Sequence, residues 1–149
     1  MMYKLVNKDG TIAIMTIVKG DIYSELAKQD VSIKDFTLVE KITVEDLPLD
    51  REHRDAWTNV TAGTKVDIDL DKVKSKQLSI LRDKRNKKLE EMDRKSLVAI
   101  EEGQDLTEIK KEKERLRNLT DQLKAVDTVG KVNDMATIEI LNKLGAIKI

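Results

Sequence analysis

The stretch Asp50-Arg51-Glu52-His53-Arg54-Asp55-Ala56-Trp57 divides this chain into two kinds of sequence. Before it, short apolar runs rich in β-branched residues alternate with turn residues, a strand-and-turn pattern. After it, and beyond Asp69, the sequence is charged and leucine-spaced at helical period. The single proline (Pro48), histidine (His53) and tryptophan (Trp57) all lie at this join. The fold class expected is therefore α+β, a small β-rich N-terminal domain followed by long helices that form a helical hairpin or bundle.

Working toward the N-terminus, Tyr3 to Val6 is a strand candidate, and Asp9-Gly10 between apolar runs is a hairpin signal because glycine tolerates positive φ. Thr11 to Val18 makes the return strand. Asp21 caps a short helix through Ala27 with Ile22 and Leu26 on one face. Phe36 to Val39 and Ile42 to Val44 make a third strand with a kink at Glu40-Lys41. The result is a ββαβ-like docking domain over residues 1–49.

Residues 50–69 read as a seam. Asp50 is placed as the N-cap of a short helix ending near Trp57, with Asp50–Arg54 and Arg51–Asp55 as i,i+4 pairs. Loop follows from Thr58 to Thr64, and Val66 and Ile68 alternate with Asp67 and Asp69 as an extended lead-in. Residues 70–126 are expected as long helices broken at Gly103, a natural C-cap. Two arms of ~50 Å and ~30 Å, at 1.5 Å per residue, would be joined there. In the first arm Leu70, Leu81 and Met92, and likewise Leu78, Leu89 and Ile100, recur every eleven residues. In the second, Asp105 to Glu108 resembles a capping box, and Ile109, Leu116 and Leu123 follow at heptad spacing with Leu119 and Val126 beside them. Residues 127–149 hold a break at Gly130, a short helix capped by Asn133 with Met135, Ile138 and Leu141 or Leu144 on its apolar face, an end at Gly145, and an alternating apolar tail, Ala146 to Ile149.

Composition narrows the function. Aromatic residues are 3% and charged residues 38% of the 149, so the core is thin and aliphatic, and oligomerisation is expected to supply part of the stability. The formal net charge is zero, which gives no global signal for nucleic acid. Without cysteine there are no disulfides, thiolate metal sites or cysteine nucleophiles. The N-terminus lacks a signal-peptide pattern, and Ile12 to Val18 is far too short to span a bilayer, so a soluble protein made in a cytoplasm is expected. The Asn59 and Asn118 N-x-T triplets are then chance matches.

No sequence motif supports catalysis. His53 beside Asp50 and Asp55 invites a general-base or metal reading, but one imidazole without a nucleophile or ligand spacing is more simply an ion-paired surface, or a stack of His53 on Trp57 four residues on. Trp57 reads either as a partner hot spot or as a plug between sheet and helices. The run Lys72, Lys74, Lys76, Arg82, Lys84, Arg85, Lys87 and Lys88 reads as a phosphate-binding face or, because its positives spread around the helix without interleaved aromatics, as a solvated one. Glycine-rich phosphate loops, Gly-x-Ser-x-Gly and His-Glu-x-x-His are all missing, so no enzyme, cofactor, metal or small-molecule substrate is expected.

Three features together resemble a family of small proteins encoded among the structural genes of tailed bacteriophages and prophages. They are the Asp50 to Trp57 segment, the Val66 to Lys72 lead-in to a helix carrying Arg82-Asp83-Lys84-Arg85 and Leu89-Glu90-Glu91-Met92-Asp93, and a hairpin containing Ile12-Ala13-Ile14-Met15. His53 stands where that pattern has another aromatic. The resemblance implies a virion or tail-associated structural protein and does not imply its station in the particle. The expectation taken from the whole reading is a non-enzymatic tail, fibre or connector adaptor, made in the bacterial host cytoplasm and resident in the virion, with other phage structural proteins as partners, as a homo-oligomer (trimer or ring), with no membrane and with nucleic acid not expected. The rival readings are an assembly chaperone not retained in the particle and a coiled-coil nucleic-acid-binding module. The interface and seam residues expected are Trp57, Arg51, Arg54, Leu78, Leu81, Leu89, Met92, Ile109, Leu116, Leu119 and Leu123.

Overall fold

A computed structural model describes residues 1–48, 51–60, 63–128 and 137–147, the side chains of Thr137 and Ile138 excepted. The expectations for Asp50, Gly130, Asn133, Met135, the Ile138 side chain, and Lys148 and Ile149 of the tail fall outside the described residues. The fold is α+β, and two compact units divide between Asp69 and Leu70.

The first unit is built on β1 (Met2–Asn7), β2 (Ile12–Thr16) and β3 (Phe36–Ile42), an antiparallel sheet in the order β2-β1-β3. Gly10, at φ +81°, closes the turn between β1 and β2, and the Asp9 carboxylate accepts from the Thr11 N–H at 2.9 Å. The short helix α1 (Ile22–Ala27) begins where expected, because the Asp21 carboxylate accepts from the Ser24 N–H at 3.0 Å. That bond, with a second from the Ser24 hydroxyl, holds the Asp21 pKa below the usual carboxylate value. Leu5, Ile17, Ile22 and Leu26 form a buried cluster, bordered by Tyr3, Met15, Val31, Ile33, Phe36 and Val39.

β3 runs through Glu40-Lys41 without the expected kink; the irregularity falls nearer its start, where Val6 pairs with Leu38 and Asn7 with Phe36, so that Thr37 is the extra residue on β3. Val44 leaves the sheet for a 3-10 turn, Val44–Asp46, because the Asp46 carboxylate turns back to accept from the Thr43 N–H at 2.7 Å.

The second unit begins with α2 (Leu70–Glu101), 32 residues long, which ends at Gly103 in a left-handed cap. There φ is +66°, Gln104 N–H donates to the Ala99 carbonyl at 2.8 Å, and Gly103 N–H donates to that of Ile100 at 3.1 Å. This 6→1 and 5→2 pair satisfies carbonyls that the helix end leaves open. α3 (Thr107–Lys124) follows after a short turn. The Asp105 carboxylate accepts from the Thr107 N–H at 3.0 Å, but the N-cap is Leu106, one residue later, and it makes no side-chain cap bond, so the expected capping box does not form.

α2 and α3 pack together as an antiparallel hairpin. Asp71 accepts from Thr128 at 2.7 Å, Lys74 donates to the carbonyls of Lys124 and Val126 at 2.8 and 2.6 Å, and Lys113 pairs with Asp93 at 2.7 Å. Partner numbers fall on one helix as they rise on the other. α4 (Thr137–Ala146) packs on α2, with Ile140 and Leu144 buried, and continues through Gly145 rather than ending there.

The hairpin core predicts that Leu116→Ala, at a position with no exposure, costs ~2–5 kcal/mol in urea unfolding, whereas Ile100→Asp, at 60% exposure, changes stability by less than ~0.5 kcal/mol. The α2 surface gives a pH prediction. Lys95 and Lys88 hold the Glu91 carboxyl at about 2, down from the usual 4.5. Its stabilising effect is therefore complete above pH 4.5 and fades as pH falls toward about 2. Glu91→Gln lowers the melting temperature slightly at neutral pH and leaves it unchanged near pH 2, read by circular dichroism.

Candidate docking pocket and helical faces

β1 is the central strand, and both its faces are covered. Tyr3 and Leu5 face the α1 side. Lys4 and Val6 lie on the other face, where strand alternation alone would leave them to solvent. Lys4 has no exposed surface, and its ammonium donates to the carbonyls of Gly63, at 2.8 Å, and Lys65. Burial pushes its pKa down, opposed by the nearby carboxylates of Asp67, Glu40 and Asp46. The buried Asp67 carboxylate accepts from the Val60 N–H at 3.1 Å, and the Val66 N–H donates to the Asp46 carbonyl at 2.9 Å. These bonds hold Asp46 and the stretch Gly63 to Asp67 to the second face of the sheet. Nothing in the sequence marked Lys4, because a lysine in a strand ordinarily belongs to solvent.

Between Asp46 and Gly63 in the chain lie the Arg51 to Trp57 residues, and the structure corrects their reading. The expected helix reduces to a single 3-10 turn, Arg54–Ala56, and Trp57 opens a two-residue strand β4 (Trp57–Thr58) paired with β5 (Asp67–Ile68). Trp57 faces Ile68 in that ladder, and Asp69 N–H donates to the Ala56 carbonyl at 2.8 Å. Cross-strand pairing of apolar residues stabilises more than one helical turn of charged residues does. Without an α-helix, the i,i+4 geometry for His53 on Trp57 and for Arg51 with Asp55 is lost. The guanidiniums of Arg51 and Arg54 turn to the indole instead, each 5.9 Å from its centroid.

Trp57 is 7% exposed, and its Nε1 has no hydrogen-bond partner among the described residues. Together with Met2, Ile12, Ile14, Thr16, Leu47 and the two arginines it lines a pocket of about 330 Å³. The β2 members stand at alternate positions, and Met2 is the cross-strand partner of Thr16, so all four share one face. Trp57, Arg51 and Arg54 are thus brought together. The apolar floor was missed because it comes from strands far away in sequence.

The remaining interface candidates lie on the helices. Leu81, Met92, Leu116, Leu119 and Leu123 are buried within the chain itself, Leu78, Leu89 and Ile109 are half-buried, and Ile100 is exposed. The stripes expected to need neighbouring chains are therefore largely covered by the hairpin and α4. Exposed apolar surface concentrates at the turn end of α2, on Leu97, Val98 and Ile100. The basic run presents no single face: Lys74 is engaged with α3 carbonyls, Lys88 with Glu91 at 2.9 Å, and Arg85 with Asn86 at 3.1 Å. Among the described residues no group of three or more His, Asp or Glu is placed to hold a metal ion, and no helix is long and apolar enough to cross a membrane.

No protein-family model, curated protein or solved structure matches the chain. The likeness to phage proteins rests on the residues quoted for it.

Trp57→Ala is expected to cost ~3–5 kcal/mol in denaturation followed by circular dichroism, as large-to-small changes at buried sites do. A loss below about 1 kcal/mol would mean that the indole serves a partner rather than the fold.

Proposed function

We propose that this chain is a non-enzymatic tailed-phage protein that works by docking. Its N-terminal unit engages another phage structural protein, and its helical unit presents a second surface. The observation that carries this reading is the Arg51–Trp57 segment itself. The residues on which the phage resemblance rests fold into the wall of a surface pocket and carry two guanidiniums at its rim. Aromatic and arginine residues in such a setting are what protein interfaces use as anchors. The helical unit adds the exposed apolar cluster of Leu97, Val98 and Ile100.

Two stations fit a docking protein. The first is a virion- or tail-resident adaptor, homo-oligomeric in the particle and made in the host cytoplasm. The second is an assembly chaperone that binds a phage protein and leaves. One feature favours the second: the leucine stripes of α2 and α3 are covered within one chain, so this unit needs no companion to bury them. Mass spectrometry of purified particles decides between them. An adaptor appears at fixed copy number, and a chaperone is missing from particles yet co-purifies with a phage protein from infected cells. A chain found in neither place overturns both readings.

A further inference from the structure

The pocket beside Trp57 combines an apolar floor with two guanidiniums held against the indole. Met2, Ile12, Ile14 and Leu47 supply the floor. Arg51 and Arg54 both sit against the indole, and neither forms an ion pair among the described residues. The indole N–H is buried without a partner, which is exceptional in a folded chain. One chemical group answers both guanidiniums, an oxygen anion, and their forks match a carboxylate in particular.

Two further features select the molecule that brings it. At about 330 Å³ the pocket is at the small end for ligand sites and suits a side chain with its neighbouring backbone. It is also lined by β2, whose outer edge has no strand next to it among the described residues, in the order β2-β1-β3. An unpaired edge offers backbone donors and acceptors to an extended segment. Ile12, Ile14 and Thr16 line the pocket from alternate positions of that edge strand, so a strand added there also points alternate side chains to this side.

We propose that the pocket takes an extended acidic peptide segment of a partner protein. One apolar side chain rests on Ile12 and Ile14, and a carboxylate beside it is held by Arg51 and Arg54. This deepens the docking reading by naming the partner's chemistry, and rests on that reading for the existence of a partner. A bare phosphate would use the arginines but neither the apolar floor nor the open edge.

Trp57 is the chain's single tryptophan, so its emission reports directly on the pocket. The full chain is titrated with an acetylated, amidated heptapeptide of alternating valine and glutamate, with its glutamine counterpart, and with inorganic phosphate. A saturable emission change with the glutamate peptide is expected, with binding at least ~10-fold weaker for the glutamine peptide and for phosphate. The Arg51→Gln/Arg54→Gln double variant is expected to weaken the glutamate peptide by at least the same ~10-fold factor, its circular dichroism unchanged. Ile14→Glu, which puts a like charge on the floor, gives the same loss by an independent route. Equal affinity for the glutamine peptide, unaltered binding by the arginine variant, an equal or stronger response to phosphate, or no saturation up to ~5 mM each overturns the proposal. Peptide binding is read on the pure protein, so its failure leaves the particle result standing, and a chain missing from particles leaves the peptide result standing.

Discussion

The ammonium of Lys4 is the contact on which the N-terminal unit turns. It sits in the middle of the central strand with no exposure, and it donates to the carbonyls of Gly63 and Lys65, about sixty residues later in the chain. A buried charge is tolerated only when its hydrogen bonds are made and countercharge is near, here from Asp67, Glu40 and Asp46. Gly63 and Lys65 are therefore held over the second face of the sheet, where Arg51, Arg54 and Trp57 also lie. Without that cover, a three-stranded sheet with one short helix would leave half its surface unprotected.

The helical unit solves a different problem. A chain with 3% aromatic residues has few large groups for a core, and long helices gain most of their stability from packing. Gly103 lets α2 stop and reverse, and α3 returns along it. Leu81 and Met92 on one helix and Leu116, Leu119 and Leu123 on the other are thereby buried. Lys74 caps the C-terminal carbonyls of α3, where the helix dipole is negative. The hairpin buries these leucines within one chain, so the helical unit does not depend on a second copy to cover them.

Local and periodic signals were legible in the sequence. Asp9-Gly10, Asp21 with Ile22 and Leu26, Gly103, and the leucine spacing on both arms each act over a few residues, through φ, through a side-chain cap, or through which face a residue occupies. They determined the α+β class, the hairpin turn, the short helix and the break between the arms. The segment 51–57 was misread for the same reason, because its i,i+4 charges favour a helix locally.

Only tertiary structure decided the rest. Trp57 pairs with Ile68 across a ladder, Lys4 finds carbonyls far along the chain, and Met2, Ile12 and Ile14 become the floor of a pocket walled by Arg51 and Arg54. Each of these depends on residues that sequence distance separates and burial brings together. A charge or an indole acquires its role from what surrounds it, and the surroundings exist only once the sheet, its cover and the hairpin have formed.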